Sequence, residues 1–268
     1  MNTRSLSFLL FFVLTFVSGF CQDHVKELKK AKRFNSEKSL CRFLDNWHSL
    51  SLPVSSSEIE NFSEIHRDVY SIFYDFYNPF ELKRTGGDEI DMKLDTNTDY
   101  LVVQNKIFFY KLHSKNLSLS YFNRTGSNSF TFDSIIDFRP DLNIPGIKIL
   151  YLTDDYKNDI YKFLEKKKPS YRGSGKNALT GVPQMKFYKT GRLNFLNKKL
   201  LIIDRYGTWD LHLVTQLEVN TIRFNQDYTQ AILYYRYGHQ LGEAVYEKKD
   251  GNWIFKTSLL NGWEGSTY

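Results

Sequence analysis

The stretch NTIRFNQDYTQAILYYRYGHQLGEAVYEKKDGNWIFKTSLL, Asn220–Leu260, decides the fold. It reads as four strands: Val219–Asn225, Gln230–Tyr237, Gly242–Lys248 and Trp253–Leu259. Aromatic and β-branched residues dominate it, and these suit a pleated, half-buried surface. Asp250-Gly251, between Lys249 and Asn252, is a strong hairpin turn signal. Asn225–Thr229 supplies a second hairpin connection. Strands joined by such short turns run antiparallel. Just upstream, Leu200–Asp204 and Asp210–Gln216 are further strand candidates.

Moving back along the chain, residues 169–184 form a loop marked by Pro169, Gly173, Gly175, Gly181 and Pro183. A helix precedes it, opening at Thr153-Asp154-Asp155 and stopped by Pro169. Its acidic first turn and Lys166–Lys168 in its last turn complement the helix dipole. Ile160, Phe163 and Leu164 give its apolar face. Before it, Tyr100–Gln104, Lys106–Leu112, Leu117–Phe122, Phe130–Phe138 and Ile147–Leu152 read as strands. In Phe130–Phe138 the alternation of Phe130, Phe132 and Ser134 with Thr131 and Asp133 suits a half-buried antiparallel strand.

The N-terminal part is helical. Residues 24–34 are a charged lead-in. Ser36 caps a helix over 36–50, whose Leu40, Phe43, Leu44 and Trp47 fall on one face. A third helix is expected over 58–77, opened by a capping box of Ser57 and Glu60 and closed at Asn78-Pro79. Its stripe of Ile59, Phe62, Val69, Phe73 and Phe76, widened by Ile65 and Ile72, suits packing on a sheet. The expected class is α+β: N-terminal helices on a curved, mainly antiparallel sheet. Residues 22–268 are read as one domain, with a possible sub-division near 169–184 and a strand-rich part from 185 to 268.

The first residues read as a sorting signal. Arg4 gives a positive start, and Leu6–Phe20 is almost wholly apolar, with no charge before Asp23. That run is shorter than the roughly 20 apolar residues that span a bilayer core. A charged start, a short apolar run and the small-residue end Gly19-Phe20-Cys21 mark a secretory signal peptide over 1–21, cleaved before Gln22. No transmembrane span is expected after cleavage. Secretion or delivery to the periplasm follows. Lipidation at Cys21 is the alternative, although Phe20 stands where a lipoprotein signal carries a small residue.

Composition narrows the function classes. With 41% hydrophobic residues, 22 Phe and 18 Tyr, the chain can fill a sizeable core. Once Cys21 leaves, Cys41 stands alone, which excludes a disulfide scaffold and a cysteine zinc site. Cys41, beside Leu40, is expected to be a buried, inert thiol. The net charge of +6 falls to +5 without Arg4. Basic residues gather at Lys26, Lys29, Lys30, Lys32 and Arg33, and again at Lys166–Lys168, Arg172 and Lys176. They are read as solvated helix faces, with an anionic surface as the sharper alternative. Export argues against nucleic acid.

The closing rhythm Asn220-Thr-Ile-Arg-Phe-Asn225, Ala231-Ile-Leu-Tyr-Tyr235, Gly242–Lys248 and Asp250-Gly-Asn-Trp-Ile254 resembles the last strands of cystatin-like and nuclear-transport-factor-like α+β domains. It also resembles families of exported bacterial proteins with the same ending. Pro145-Gly146 ahead of Ile149–Thr153 weakly resembles them too. The resemblance covers roughly the last 60 residues and implies a curved antiparallel sheet wrapped on a helix, not an activity.

Chemistry-bearing motifs are sparse. Gly173-Ser174-Gly175-Lys176 is no phosphate loop, since Ser170 and Asn177 stand where the motif needs glycine and Ser or Thr. His24, His48, His66, His113, His212 and His239 form no His-x-x-x-His pair, so no metal site is expected. Asp88, Glu89, Asp91 and Asp95 do not have calcium-loop spacing. No Gly-x-Ser-x-Gly elbow exists. The best polar pair is Asp210 and His212, on one face of a strand whose other face holds Trp209, Leu211 and Leu213; a carboxylate beside an imidazole suits general acid–base work. Glu243 and His239 could approach it across the sheet. The bland alternative is a solvent-facing polar strand. The expected function is a periplasmic or cell-surface binding module for a protein, glycan or lipid, with no cofactor. The alternative is a small-molecule enzyme with a nuclear-transport-factor-like pocket using Asp210 and His212. A third reading is an accessory protein of a partner system.

Overall fold

A computed structural model describes residues 23–79, 82–85, 99–113, 115, 117, 130–165, 189–202, 211–215, 217–237 and 240–263. The chain opens with helices α1 (His24–Arg33) and α2 (Glu37–Leu50), each started by a side-chain cap, Asp23 and Ser36. The helix expected over 58–77 is two helices. α3 (Ser56–Glu60) is capped by Ser55, and α4 (Glu64–Phe76) by Ser63. Two Ser-x-x-Glu frames overlap here, and the earlier one forms the capping box: Ser55 with Glu58, not Ser57 with Glu60. At the break the Arg67 guanidinium donates to the carbonyls of Glu60 and Phe62, where the helix ladder is interrupted.

Strands β1 (Tyr100–Gln104) and β4 (Lys148–Leu152) pair in parallel as a two-stranded sheet. A six-stranded sheet has the order β3-β2-β5-β6-β7-β8, with β2 (Lys106–Leu112), β3 (Phe130–Ile136), β5 (Leu217–Phe224), β6 (Gln230–Tyr237), β7 (Gln240–Lys249) and β8 (Asn252–Trp263). It is mostly antiparallel, but β2 and β5 run parallel. The Asp250-Gly251 turn forms as expected: both residues have positive φ, 52° and 81°, and Lys249 pairs with Asn252. Asn225 closes the other hairpin, its Oδ1 accepting from the N–H groups of Thr229 and Gln230.

Other expectations need correction. Residues 200–202 are not a strand, and 211–215 hold only a single bridge, at His212. That segment is used differently: the Thr215 N–H donates to the Val102 carbonyl, and the Val102 N–H donates to the Thr215 hydroxyl. Helix α5 (Asp154–Leu164) ends at Glu165 in the left-handed conformation, before Lys166–Lys168. Helix α6 (Thr190–Leu196) has no sequence forecast; it starts without a side-chain cap and contains Gly191. β3 stops at Ile136, since Asp137 turns to positive φ, and β8 runs past Leu259 to Trp263. Of the forecast strand 117–122, residues 118–122 lie outside the described residues, as does the loop 169–184.

Two cores result. The first lies between α4 and one face of the six-stranded sheet: Val69, Phe73 and Phe76 meet Phe109, Ile222, Leu233, Tyr235 and Tyr246. The second joins α1, α2, α5, α6 and residues 211–213 around Trp47. β1 and β4 stand between them. Leu101, Val103, Ile149 and Tyr151 face the first core, while Tyr100, Val102 and Leu150 face the second. A strand pair buried on both faces reads as a near-continuous apolar run, as Leu101-Val-Val103 and Ile149-Leu-Tyr-Leu152 do. Each fully buried large apolar side chain contributes about 1.5–3 kcal/mol.

Candidate functional site

The sheet's two faces differ. On β2 and β3 the odd-numbered Ile107, Phe109 and Ile135 enter the first core, so the even-numbered residues face outward. On β5 a bulge between Val219 and Thr221 resets the alternation. Val219 and Ile222 both face the core, and Thr221 and Arg223 face out beside Phe108 and Tyr110.

At the β2–β3 end this outer face carries an aromatic platform. Phe132 lies across from Tyr110 with ring centroids 5.1 Å apart, and stacks diagonally on Phe108 at 5.5 Å and 24°. Phe132 is 50% exposed. Lys106 sits 4.8 Å over the Phe108 ring. Next to the platform the Arg223 guanidinium lies 4.4 Å over the Tyr234 ring and donates to its hydroxyl at 3.1 Å. Across β6 from Arg223's neighbours, Tyr234 pairs with Glu243 of β7. Glu243 is buried on this outer face, and its charge adds to burial in raising the Tyr235 phenol above its ordinary range.

The residues singled out in the sequence lie elsewhere. His212 is 6% exposed, so it is not a solvent-facing residue. Leu211 and Leu213 enter the second core as the alternation forecasts, and His212 is not part of that cluster. Asp210 and His239 lie outside the described residues, as do the cluster Asp88, Glu89, Asp91 and Asp95 and the basic run 166–176. Glu243 belongs to the outer face of β7. Cys41 is a free thiol on α2, half-buried rather than buried, because the apolar face is held by Leu40, Phe43, Leu44 and Trp47. Among the described residues no three His, Cys, Asp or Glu side chains could hold a metal ion. Nor is any helix there long and apolar enough to cross a membrane.

One carboxylate–imidazole pair escapes the sequence. His24 Nδ1 lies 3.1 Å from Asp159 Oδ2, linking α1 to α5 across 135 positions. The His24 ring stacks on Tyr156 at 5.0 Å, and Tyr156 stacks on Trp47 at 4.3 Å. Burial pushes the Tyr156 phenol up to about 12. The stack is continuous with the second core, so this pair anchors α1. No local spacing rule joins residues so far apart.

Comparison with known proteins yields no matching family, no matching curated protein and no matching solved structure.

Proposed function

We propose that this chain is an exported binding module that takes an anionic glycan of the cell envelope or cell surface on the outer face of its sheet. The observation that carries this reading is the platform of Phe132, Phe108 and Tyr110 on the face turned away from the α4 core. Large apolar side chains in solvent mark contact sites when they cluster with polar groups at their rim. Flat aromatic rings fit the C–H face of a sugar ring, and Lys106 and Arg223 beside them supply positive charge for its acidic groups. The apolar run over 1–21, read as a signal peptide, supports delivery to where such polymers lie. A mostly antiparallel sheet packed on α4 agrees with the resemblance to cystatin-like and nuclear-transport-factor-like domains, which is part of this proposal.

The test is a calorimetric titration of the purified chain with acidic and neutral polysaccharides. Saturable heat with acidic polymers, reduced at least about tenfold in affinity by Phe132→Ala, is expected, because contact aromatics are worth ~1–3 kcal/mol. Thermal unfolding of that variant should stay within ~1 kcal/mol of the parent, since half of the ring is in solvent already. No saturable binding, or binding indifferent to Phe132, removes the proposal.

A further inference from the structure

Strand edges in this fold are met in different ways. The outer edge of β4 is covered by α2: the Trp47 indole N–H donates to the Tyr151 carbonyl at 3.0 Å, and the Tyr151 N–H donates to the Ser51 hydroxyl at 3.2 Å. The other side of β1 is met by Thr215. β8 carries Lys256, paired with Glu247, and a bulge in its pairing with β7. Lysines and bulges are edge defences, since they discourage a further strand from adding.

β3 is the other outer strand of the described sheet, and it has none of these. Its seven residues contain no Lys or Pro, and they pair with β2 in unbroken register. Thr131, Phe132 and Asp133 are exposed, and Ile136 is 73% exposed. The Ser134 N–H donates to Oδ1 of the preceding Asp133 at 2.7 Å, on the side away from β2, where no strand pairs with β3 among the described residues; an added strand would exchange this local bond for one to its own main chain. By strand alternation the N–H groups of Phe132 and Ile136 share that side.

We infer that β3 is a self-association edge: a second copy of this chain adds its own β3, antiparallel, about a two-fold axis at Ser134. The two large exposed apolar residues stand two positions either side of Ser134. That axis therefore puts Phe132 of each copy opposite Ile136 of the other, and Ser134 opposite itself. The axis is normal to the sheet, so outward residues of one copy meet outward residues of the other. Neighbouring registers are worse. An axis at Asp133 sets that carboxylate against its own copy, and an axis at Ile135 sets Asp133 against Asp137; like charges directly opposite are destabilising. Only the Ser134 register among these three joins the apolar pair and keeps the carboxylates apart. The result is one continuous sheet through two copies, formed by main-chain addition at an edge without a strand partner among the described residues.

The test is sedimentation of the chain purified as the cell processes it, over a range of concentrations. A species of twice the monomer mass is expected. Ser134→Cys in a Cys41→Ser background should give a covalent dimer with oxidised glutathione as the electron acceptor: each pair of thiols loses two hydrogens and forms one S–S bond. Directly opposite hydrogen-bonded residues have Cα atoms about 5.5 Å apart, within disulfide reach. Ser134→Pro removes an edge N–H, and Ile136→Lys changes only a solvent-exposed side chain; both should return the protein to monomer. A monomer at every concentration, a dimer that Ile136→Lys leaves intact, or no Ser134→Cys crosslink overturns the inference.

Discussion

Gly242 shows what a single residue decides. It lies directly across from Tyr235, and a Cβ there would fall 2.2 Å from Tyr235 Cζ. The phenol cannot retreat cheaply. Its hydroxyl donates to the Thr85 carbonyl at 2.6 Å, and its ring packs on Phe76 at 4.7 Å. Gly242→Ala should therefore cost about 3 kcal/mol in chemical denaturation, at the upper end of overpacking effects. In a double-mutant cycle Tyr235→Leu should recover much of that loss, and additive costs would show that the ring is not the obstacle. Gln104 makes the same kind of decision. Its side-chain amide accepts from the Val219 N–H at 2.7 Å and donates to the Val219 carbonyl, acting as a ladder partner where the β5 bulge leaves β2 out of reach. Neither role is legible in the sequence, because Tyr235 is pinned by Thr85, 150 positions away, and Gln104 meets Val219 across 115 positions. The Asp250-Gly251 turn was legible for the opposite reason: its geometry depends only on those two residues.

Elements were legible wherever their signal was local and unique. The strands of the C-terminal meander, the Ser36 cap and the apolar face of α2 form as their periodicity requires. The α3–α4 break was missed because the Ser63 cap that restarts the helix sits inside one continuous apolar stripe, and α6 because it is short and held by Leu193, Phe195 and Leu196 in the second core. An ion cluster adds to the core in fastening α4 to the hairpin β7–β8. Lys248 Nζ lies 2.9 Å from Asp68 and 3.1 Å from Glu64, with Trp253 beneath it at 5.5 Å. Burial opposes the charge on Lys248, but the hydrogen bonds to Asp68 and Glu64 outweigh it and raise its pKa above the ordinary lysine value. A raised pKa means the folded state holds this proton more tightly than the unfolded chain does. The stabilisation is thus fully present below the unfolded lysine pKa and is lost as pH climbs through the folded value. Lys248→Met should cost about 2 kcal/mol at neutral pH, the scale of hydrogen bonds to charged groups. Urea midpoints from about pH 8 to about pH 12 should show the gap between parent and variant narrowing at the alkaline end. A gap that stays constant would assign the loss to packing on Trp253 instead.

At the scale of the molecule, β1 and β4 serve two cores at once, and their pairing across 48 positions, Tyr100 with Lys148, is a global choice. So is the parallel contact of β2 with β5, Phe108 with Thr221. Apolar runs announce such strands but not their neighbours, so the class was legible and the topology was not. The candidate site divides the same way. Leu211 and Leu213 are in the second core, but 211–215 is buried throughout and is not the amphipathic strand expected, and the platform of Phe108, Tyr110 and Phe132 needed the β2–β3 register to exist. The cleavage expected before Gln22 makes a prediction at the start of α1. α1 begins at Asp23, whose carboxylate accepts from the Lys26 N–H, one residue after the expected cut before Gln22. Cleavage there keeps the cap, the His24–Asp159 contact and Leu28, which is fully buried in the second core. Cleavage a few residues later would strip the cap and His24 and loosen α1. Sequencing of the processed protein should therefore begin at Gln22. Leu28→Ala should be processed at the same bond, yet unfold with about 3 kcal/mol less stability, as a buried leucine truncation does. A mature end within α1, or a Leu28→Ala variant as stable as the parent, would show that this helix is not part of the folded body.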